Sequence, residues 1–455
     1  MAQYNKTTGQ LLADNKTLYE VVMLADTDGN PSGSNTGINV EFSGSTADAF
    51  GRGRVSEPHT LGDYKHTYNN VDDFFSVSTS GGAVNHTTHK ACATLSTNTT
   101  ATSRIIHQTK RYHHYLPGKS QLILTSFNFG ANQNSSIKRI GYYDDLNGVF
   151  LENNTNALGV SSLRFILRRG TTGTGVDLTP VEQADWNQDP CNGTKSSFNL
   201  DRTKTQLVFI DFQWLGVGRV RVGFVHDGKM IVAHEFKHSN NLSEVYWSNP
   251  NLPIRTEVQN TAINTGASMD HICATAMSEG GYIEAGTDWE IQSPSAKLTI
   301  KPGGTWTPII AIRLKNTFNG YKNRVLLSPE NVSLFADTTS IAFRIGKVPS
   351  VASLTGTPTW TDANANSATE YSTDATGITL ADFVAYGGGF LSAGTSNGGA
   401  STSQPSTLTE SKRNFITQNF DSTNSEVFVI MAKTLLTGAN DQATVWASVQ
   451  WKEII

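Results

Sequence analysis

His234-Glu235-Phe236-Lys237-His238 has the spacing of a zinc peptidase, in which two histidines four apart on one helix face ligate Zn²⁺ and the Glu between them acts as general base. Glu257, further along, stands where a third ligand would be sought. That chemistry depends on a helix, and the surroundings argue against one. Arg219 to Phe236, RVRVGFVHDGKMIVAHEF, is two alternating runs about Asp227-Gly228, the strongest short-range signal for a type I′ hairpin. On its return strand His234 and His238 would stand roughly 13 Å apart at ~3.3 Å per residue, too far to share an ion. No N-cap precedes the motif, and the β-branched pair Ile231-Val232 lies just before it. The motif reads as a decoy on a strand, and neither a metal nor any other cofactor is expected.

Other constellations have equally ordinary readings. His107, His113 and His114 in IIHQTKRYHHYLPGK offer metal or pH-sensitive chemistry, but a basic, aromatic strand end running into the Pro117-Gly118 turn explains them better. The carboxylate pairs Asp72-Asp73 and Asp144-Asp145 raise glycoside hydrolysis, yet adjacent strand residues point to opposite faces, and Asp145-Leu146-Asn147-Gly148 is a turn sequence. Gly216-Val217-Gly218 and Gly387-Gly388-Gly389 lack the strand-to-helix setting of a phosphate loop and read as bulges or loops. Trp186 (ADWNQDP) and Tyr246-Trp247 (VYWSNPNLP) stand in turn-rich segments. There they would stack on a sugar or fill a partner's pocket, or else pack at a sandwich edge. No spacing marks a Ser/His/Asp or Cys/His triad, and no enzymatic role is expected.

The elements that position these residues are strands. Of 455 residues, 37% are hydrophobic, 16% are charged and 40 are Gly. Low charge excludes a disordered chain, and the scarcity of strong helix formers excludes a helical one. A formal charge of −4 offers no attraction to nucleic acid, and no apolar run is long enough to span a membrane. The segment MAQYNKTTGQLLADNKTLYE lacks the charged and apolar regions of a secretory signal. Cys92, Cys191 and Cys273 are few, odd in number and far apart, which points to folding in a reducing cytoplasm rather than to a disulfide framework.

The expected fold is all-β, an antiparallel β-sandwich of jelly-roll or lectin-like type followed by a second β-rich domain. Residues 1–44 read as an anchoring arm with a strand-length run at Leu18 to Leu24, 45–295 as the central sandwich and 296–455 as the C-terminal domain. The Pro/Gly-rich SPSAKLTIKPGGTW marks the joint. Strands are expected at Gln121 to Phe127, Leu158 to Leu167, Gln206 to Trp214, Val217 to His226, Ile254 to Val258 and Tyr282 to Ile291 in the first domain. In the second they are expected at Trp306 to Leu314, Ser340 to Ile345, Glu426 to Leu436 and Ala443 to Trp451. Residues 361–377 and 392–404, rich in Ala, Ser, Thr, Gly and Asn, read as long exposed loops.

Several stretches resemble a family of virion structural proteins of tailed bacteriophages, especially the T4-like and other large phages of marine bacteria. They include LYEVVMLADTDGN (18–30), DAFGRGRVSEPHTLGD (48–63), QTKRYHHYLPGKSQLI (108–123), RIGYYDDLNGVFLE (139–152), FIDFQWLGVGRVRVGFV (209–225) and WASVQWKEI (446–454). The resemblance implies a structural role on the capsid exterior or at the tail or baseplate periphery. It further implies assembly in the host cytoplasm, other virion proteins as partners and a homo-oligomer, with a trimer the first candidate. It supplies no active site. The alternative is a fibre or spike module that binds a host-surface glycan through Trp186, Tyr246 and Trp247.

Overall fold

The computed structural model describes residues 58–69, 73–281, 286–293, 305–337, 339–392, 415–435 and 442–455, together with the backbone of short strands at Gln3–Asn5, Gln10–Ala13, Thr17–Glu20 and Leu298–Thr299. Of the expected arm, only the backbone of the first three strands, a small antiparallel meander, falls within this description; residues 21–44 lie outside it. The described chain is strand and turn, its helices being single 3₁₀ turns, and none is long and apolar enough to cross a membrane.

Two antiparallel sheets face each other in the first half. In chain order their main strands are β1 (Pro58–Lys65), β2 (Phe74–Thr79), β3 (Ala83–Thr87), β4 (Cys92–Ser96), β5 (Arg104–Thr109), β6 (Ser120–Asn128) and β7 (Ser136–Tyr143). They continue as β8 (Gly148–Thr155), β9 (Ser161–Arg169), β10 (Gln206–Phe212), β11 (Val220–His226), β12 (Lys229–Phe236), β13 (Ile254–Asn260) and β14 (Ser268–Glu279). One sheet runs β9-β8-β7-β13-β5-β2, and the other β12-β11-β10-β6-β14-β4-β3 with β1 also on β14.

Register explains the core. Ile123, Ile210 and Val222 are cross-strand neighbours in one sheet, and Ile140, Leu151 and Phe165 in the other. Both rows belong to one buried cluster, as period-2 alternation requires of two half-buried faces. The hairpin forms at the expected place, with Asp227 at φ 48° and Gly228 at φ 74°, the two left-handed residues of a type I′ turn.

The second half is built the same way, from β15 (Thr287–Gln292), β16 (Thr307–Leu314), β17 (Leu326–Asp337), β18 (Ile341–Val348), β19 (Thr369–Ser372), β20 (Val384–Leu391), β21 (Val427–Thr434) and β22 (Thr444–Ile454). β22 pairs with β15 and β17, while the larger sheet runs β19-β16-β21-β18-β20. A second core of Ile310, Ile312, Leu327, Phe428, Ile430, Val449 and Trp451 lies between them.

Residues 361–377 are a correction. Instead of an exposed loop they include β19 and bury Ser367, Ala368, Thr369 and Ser372. The reason is Glu453, which is wholly buried on β22. Its carboxylate accepts from Ser367 Oγ at 2.6 Å, Ala368 N at 2.9 Å and Thr369 Oγ1, and Trp451 Nε1 donates to Thr369 Oγ1 at 3.1 Å. Ser and Thr, which read as loop formers, here solvate a carboxylate removed from water. The other expected loop, 392–404, lies outside the described residues beyond Ser392.

Candidate functional site

Of the two readings of Trp186, Tyr246 and Trp247, a contact surface for a sugar or partner and packing at a sandwich edge, the structure agrees with the second, because all three are buried, at 4%, 0% and 0% exposure. Their loops fold back to plug the gap between the sheets. Trp186 packs on Phe165 of β9 at 4.8 Å and Phe224 of β11 at 6.0 Å, and its Nε1 donates to Val181 O. Trp247 sits edge-on to Phe212 at 5.1 Å and donates to Gly148 O at 3.2 Å. Tyr246 stacks on His238 at 4.2 Å and donates to Gln213 O. An indole or phenol with its polar atom satisfied and its faces covered has nothing left to offer a sugar.

His234 and Glu235 lie on strand β12, and His238 just beyond it, so no helix aligns them. His234 Nδ1 accepts from Asn187 N, Glu235 pairs with Arg219 at 2.9 Å, and His238 Nδ1 donates to Gly218 O. Glu257 is committed elsewhere. It is wholly buried among Arg104 (3.0 Å), Arg139 (3.0 Å) and Arg255 (3.6 Å), and Arg139 continues through Glu152 to Arg164 across the sheet. Burial alone would push the Glu257 carboxyl up; the three guanidiniums overcome it and hold the pKa down at about 2.

Asp144-Asp145 forms the turn expected of it, Asp144 Oδ1 accepting from the N–H groups of Leu146 and Asn147 at 2.8 Å. Asp72 lies outside the described residues. Asn147 Oδ1 then accepts from Ser248 N at 2.9 Å, tying this turn to the loop after Trp247. Both loops line a cleft of about 510 Å³ whose far wall, with Phe318, Tyr321, Arg324 and Phe420, comes from the second half of the chain. Asp145 pairs with buried Arg255 at 3.0 Å, and Arg255 lies between the rings of Tyr143 and Phe420. Tyr321, at 75% exposure, stands free at the margin. Amides, a partly exposed carboxylate and an uncovered ring are groups that recognise a polyhydroxylated ligand with apolar C–H faces.

The sequence reading placed His107 with His113 and His114. The structure separates them. His113 is a core residue whose Nε2 is 2.9 Å from Tyr64 Oη and whose Nδ1 is 3.0 Å from Leu252 O, and His114 is half-buried nearby. His107 instead joins His66 and His271, two residues that carry no motif. His66 directly follows β1, and β1 pairs with the β14 strand that carries His271; His107 comes from β5 in the facing sheet. All three are at most 1% exposed, and one ring nitrogen of each lies within 4.8 Å of the other two. Among the described residues this is where side chains gather with metal-ligand spacing. Burial lowers His66 to about 4 and His107 to about 3, and drives His271 well below the usual imidazole range, so the trio is neutral at pH 7. A groove of about 930 Å³, lined also by Lys65, Asp73, Tyr386 and Glu426, reaches His107.

No protein-family model matches the chain, and no curated protein matches it. Among solved structures, the carbohydrate recognition domain of Emp47p is similar with a TM-score of 0.29 at 13% identity, over 48% of this chain and 94% of that one. The CBM2 module of the evolved Dit of Lactobacillus casei BL23 phage J-1 gives 0.33 at 10% identity, over 50% and 99%. A legume lectin-like domain from Entamoeba histolytica gives 0.28 at 10% identity, over 45% and 90%.

Proposed function

We propose that this chain is a non-enzymatic structural component of a tailed-phage virion, held to the capsid exterior or the tail or baseplate periphery by protein–protein contacts. The resemblance spread along its length first suggests that role, and one geometric observation carries it. β20 is the terminal strand of its sheet, and among the described residues nothing pairs with its outer edge. That edge exposes Val384 (55%) and Phe390 (77%), with Leu380 (47%) just before it. An apolar open edge is a pairing template that a solitary protein blunts with charge or proline. In an assembly it is where the next chain docks. Phe390→Lys is expected to lower incorporation into particles, scored by mass spectrometry of purified virions, while the isolated chain's stability stays within about 0.5 kcal/mol. Wild-type incorporation by the lysine variant would contradict the proposal.

A second reading, binding of a host-surface glycan, is favoured by the cleft beside Tyr321 rather than by the buried tryptophans. It predicts that Tyr321→Ala abolishes retention on host-surface polysaccharide with an unchanged melting temperature. Equal retention by wild type and variant would remove it.

A further inference from the structure

We propose that His66, His107 and His271 together bind one divalent transition-metal ion of the zinc class, which clips the two sheets of the first sandwich to each other. His66 Nε2 and His271 Nδ1 stand 3.3 Å apart. Two nitrogens bound at ~2.0–2.1 Å to one tetrahedral ion are separated by about 3.4 Å, so this pair already has the spacing a shared ion imposes. The third imidazole needs only a small ring adjustment to join them, since all three ligand atoms lie within 4.8 Å of one another.

The opposite nitrogens of His107 and His271 are engaged in the manner of metal-ligating histidines, each held by an outer partner that fixes ring orientation and tautomer. His107 Nδ1 is 2.9 Å from Ser76 Oγ, His271 Nε2 is 3.2 Å from Thr125 Oγ1, and His66 has a backbone hydrogen bond to Asn69. The remaining nitrogens are His66 Nε2 and His271 Nδ1, which lie within hydrogen-bond distance of each other, and His107 Nε2. The last is buried with no hydrogen-bond partner, as are several other polar atoms of this core, and that is the state a ligand atom has without its ion. Neutral imidazoles have the lone pairs that ligation requires, and an all-nitrogen set selects zinc, copper, nickel or cobalt over calcium or magnesium. Three protein ligands leave a fourth coordination position, and the groove that reaches His107 gives an entry path. The topology supplies the consequence. One ligand comes from each of β1's end and β14 in one sheet and the third from β5 in the other, so the ion does across this sandwich what an inter-sheet disulfide does in others.

The test uses the full chain without a polyhistidine tag, stripped with chelator and titrated with Co²⁺ and with Zn²⁺. Expected are one equivalent per chain, the visible d–d bands of low-coordinate Co²⁺, and a Zn²⁺-dependent rise in melting temperature. Ser76→Ala, which keeps all three ligands, is expected to weaken binding by about 10–100-fold. His107→Asn, at the groove and least disruptive of the core, is expected to remove the bands, and His234→Ala to leave them unchanged. Absence of stoichiometric Co²⁺ or Zn²⁺ binding by the wild-type chain overturns the proposal whatever the variants do, as does binding lost with His234 but kept without His107.

Discussion

Glu257→Ala is expected to lower the stability of the first sandwich by about 3–5 kcal/mol, the cost of stranding buried charge when one partner of an ion network is removed. Arg139 and Arg255 lie against this carboxylate, Arg255 wholly buried and Arg139 with only 12% of its side chain exposed. The same residue gives a pH signature. Its folded pKa, about 2, lies below the ordinary value of 4.5, so the folded state binds a proton less readily than the unfolded chain. The stabilisation is therefore complete above pH 4.5 and is lost as pH falls through that value toward 2, in total about 3 kcal/mol. Urea denaturation at pH 7 and at steps between pH 5 and 2 measures both effects. The wild type should lose stability through that window, and Glu257→Gln, which has no proton to take up, should follow a flatter course. A Glu257→Ala variant within 0.5 kcal/mol of wild type would show that the arginines find other partners or water.

Trp247→Ala is the second large effect, with an expected loss of about 3–5 kcal/mol, as for other large-to-small changes of buried aromatics. The ring has no exposed surface, lies between Tyr142 of one sheet and Phe212 of the other, and donates its indole N–H to Gly148 O. Removing it opens a cavity at the end of the sandwich and strands a carbonyl. Trp247→Phe keeps most of the volume and loses the hydrogen bond, so a smaller decrease is expected. Chemical denaturation with near-ultraviolet circular dichroism reads both. If Trp247→Ala instead lost glycan retention at wild-type stability, the ring would be a binding residue and its buried placement would be wrong.

The strands were legible because half-buried sheets write their alternation into the chain, as in QLILTSF, and the Asp227-Gly228 turn because few residues accept two successive left-handed conformations. Loops were where sequence misled. Trp186 and Trp247 stand among Asn, Asp, Ser and Pro, which signal a turn but not whether that turn folds inward. Residues 361–377 have the composition of a surface loop, yet serve the carboxylate of Glu453, 85 residues beyond Ala368. The histidine trio was illegible for a deeper reason. His66 and His271 are 205 residues apart, and only the pairing of β1 with β14, opposite β5, brings them to His107. His107 stands near His113 and His114 in sequence, but His113 is bonded to Tyr64 and Leu252 elsewhere in the core.

A cryo-EM map of the intact virion with this chain located in it tests the proposed place in the particle. The expected result is the chain on the capsid exterior or the tail or baseplate periphery, with the outer edge of β20 covered by a neighbouring chain against Val384 and Phe390. A chain absent from the particle, or one at a distal tip with β20 bare and the Tyr321 cleft turned outward, would contradict it.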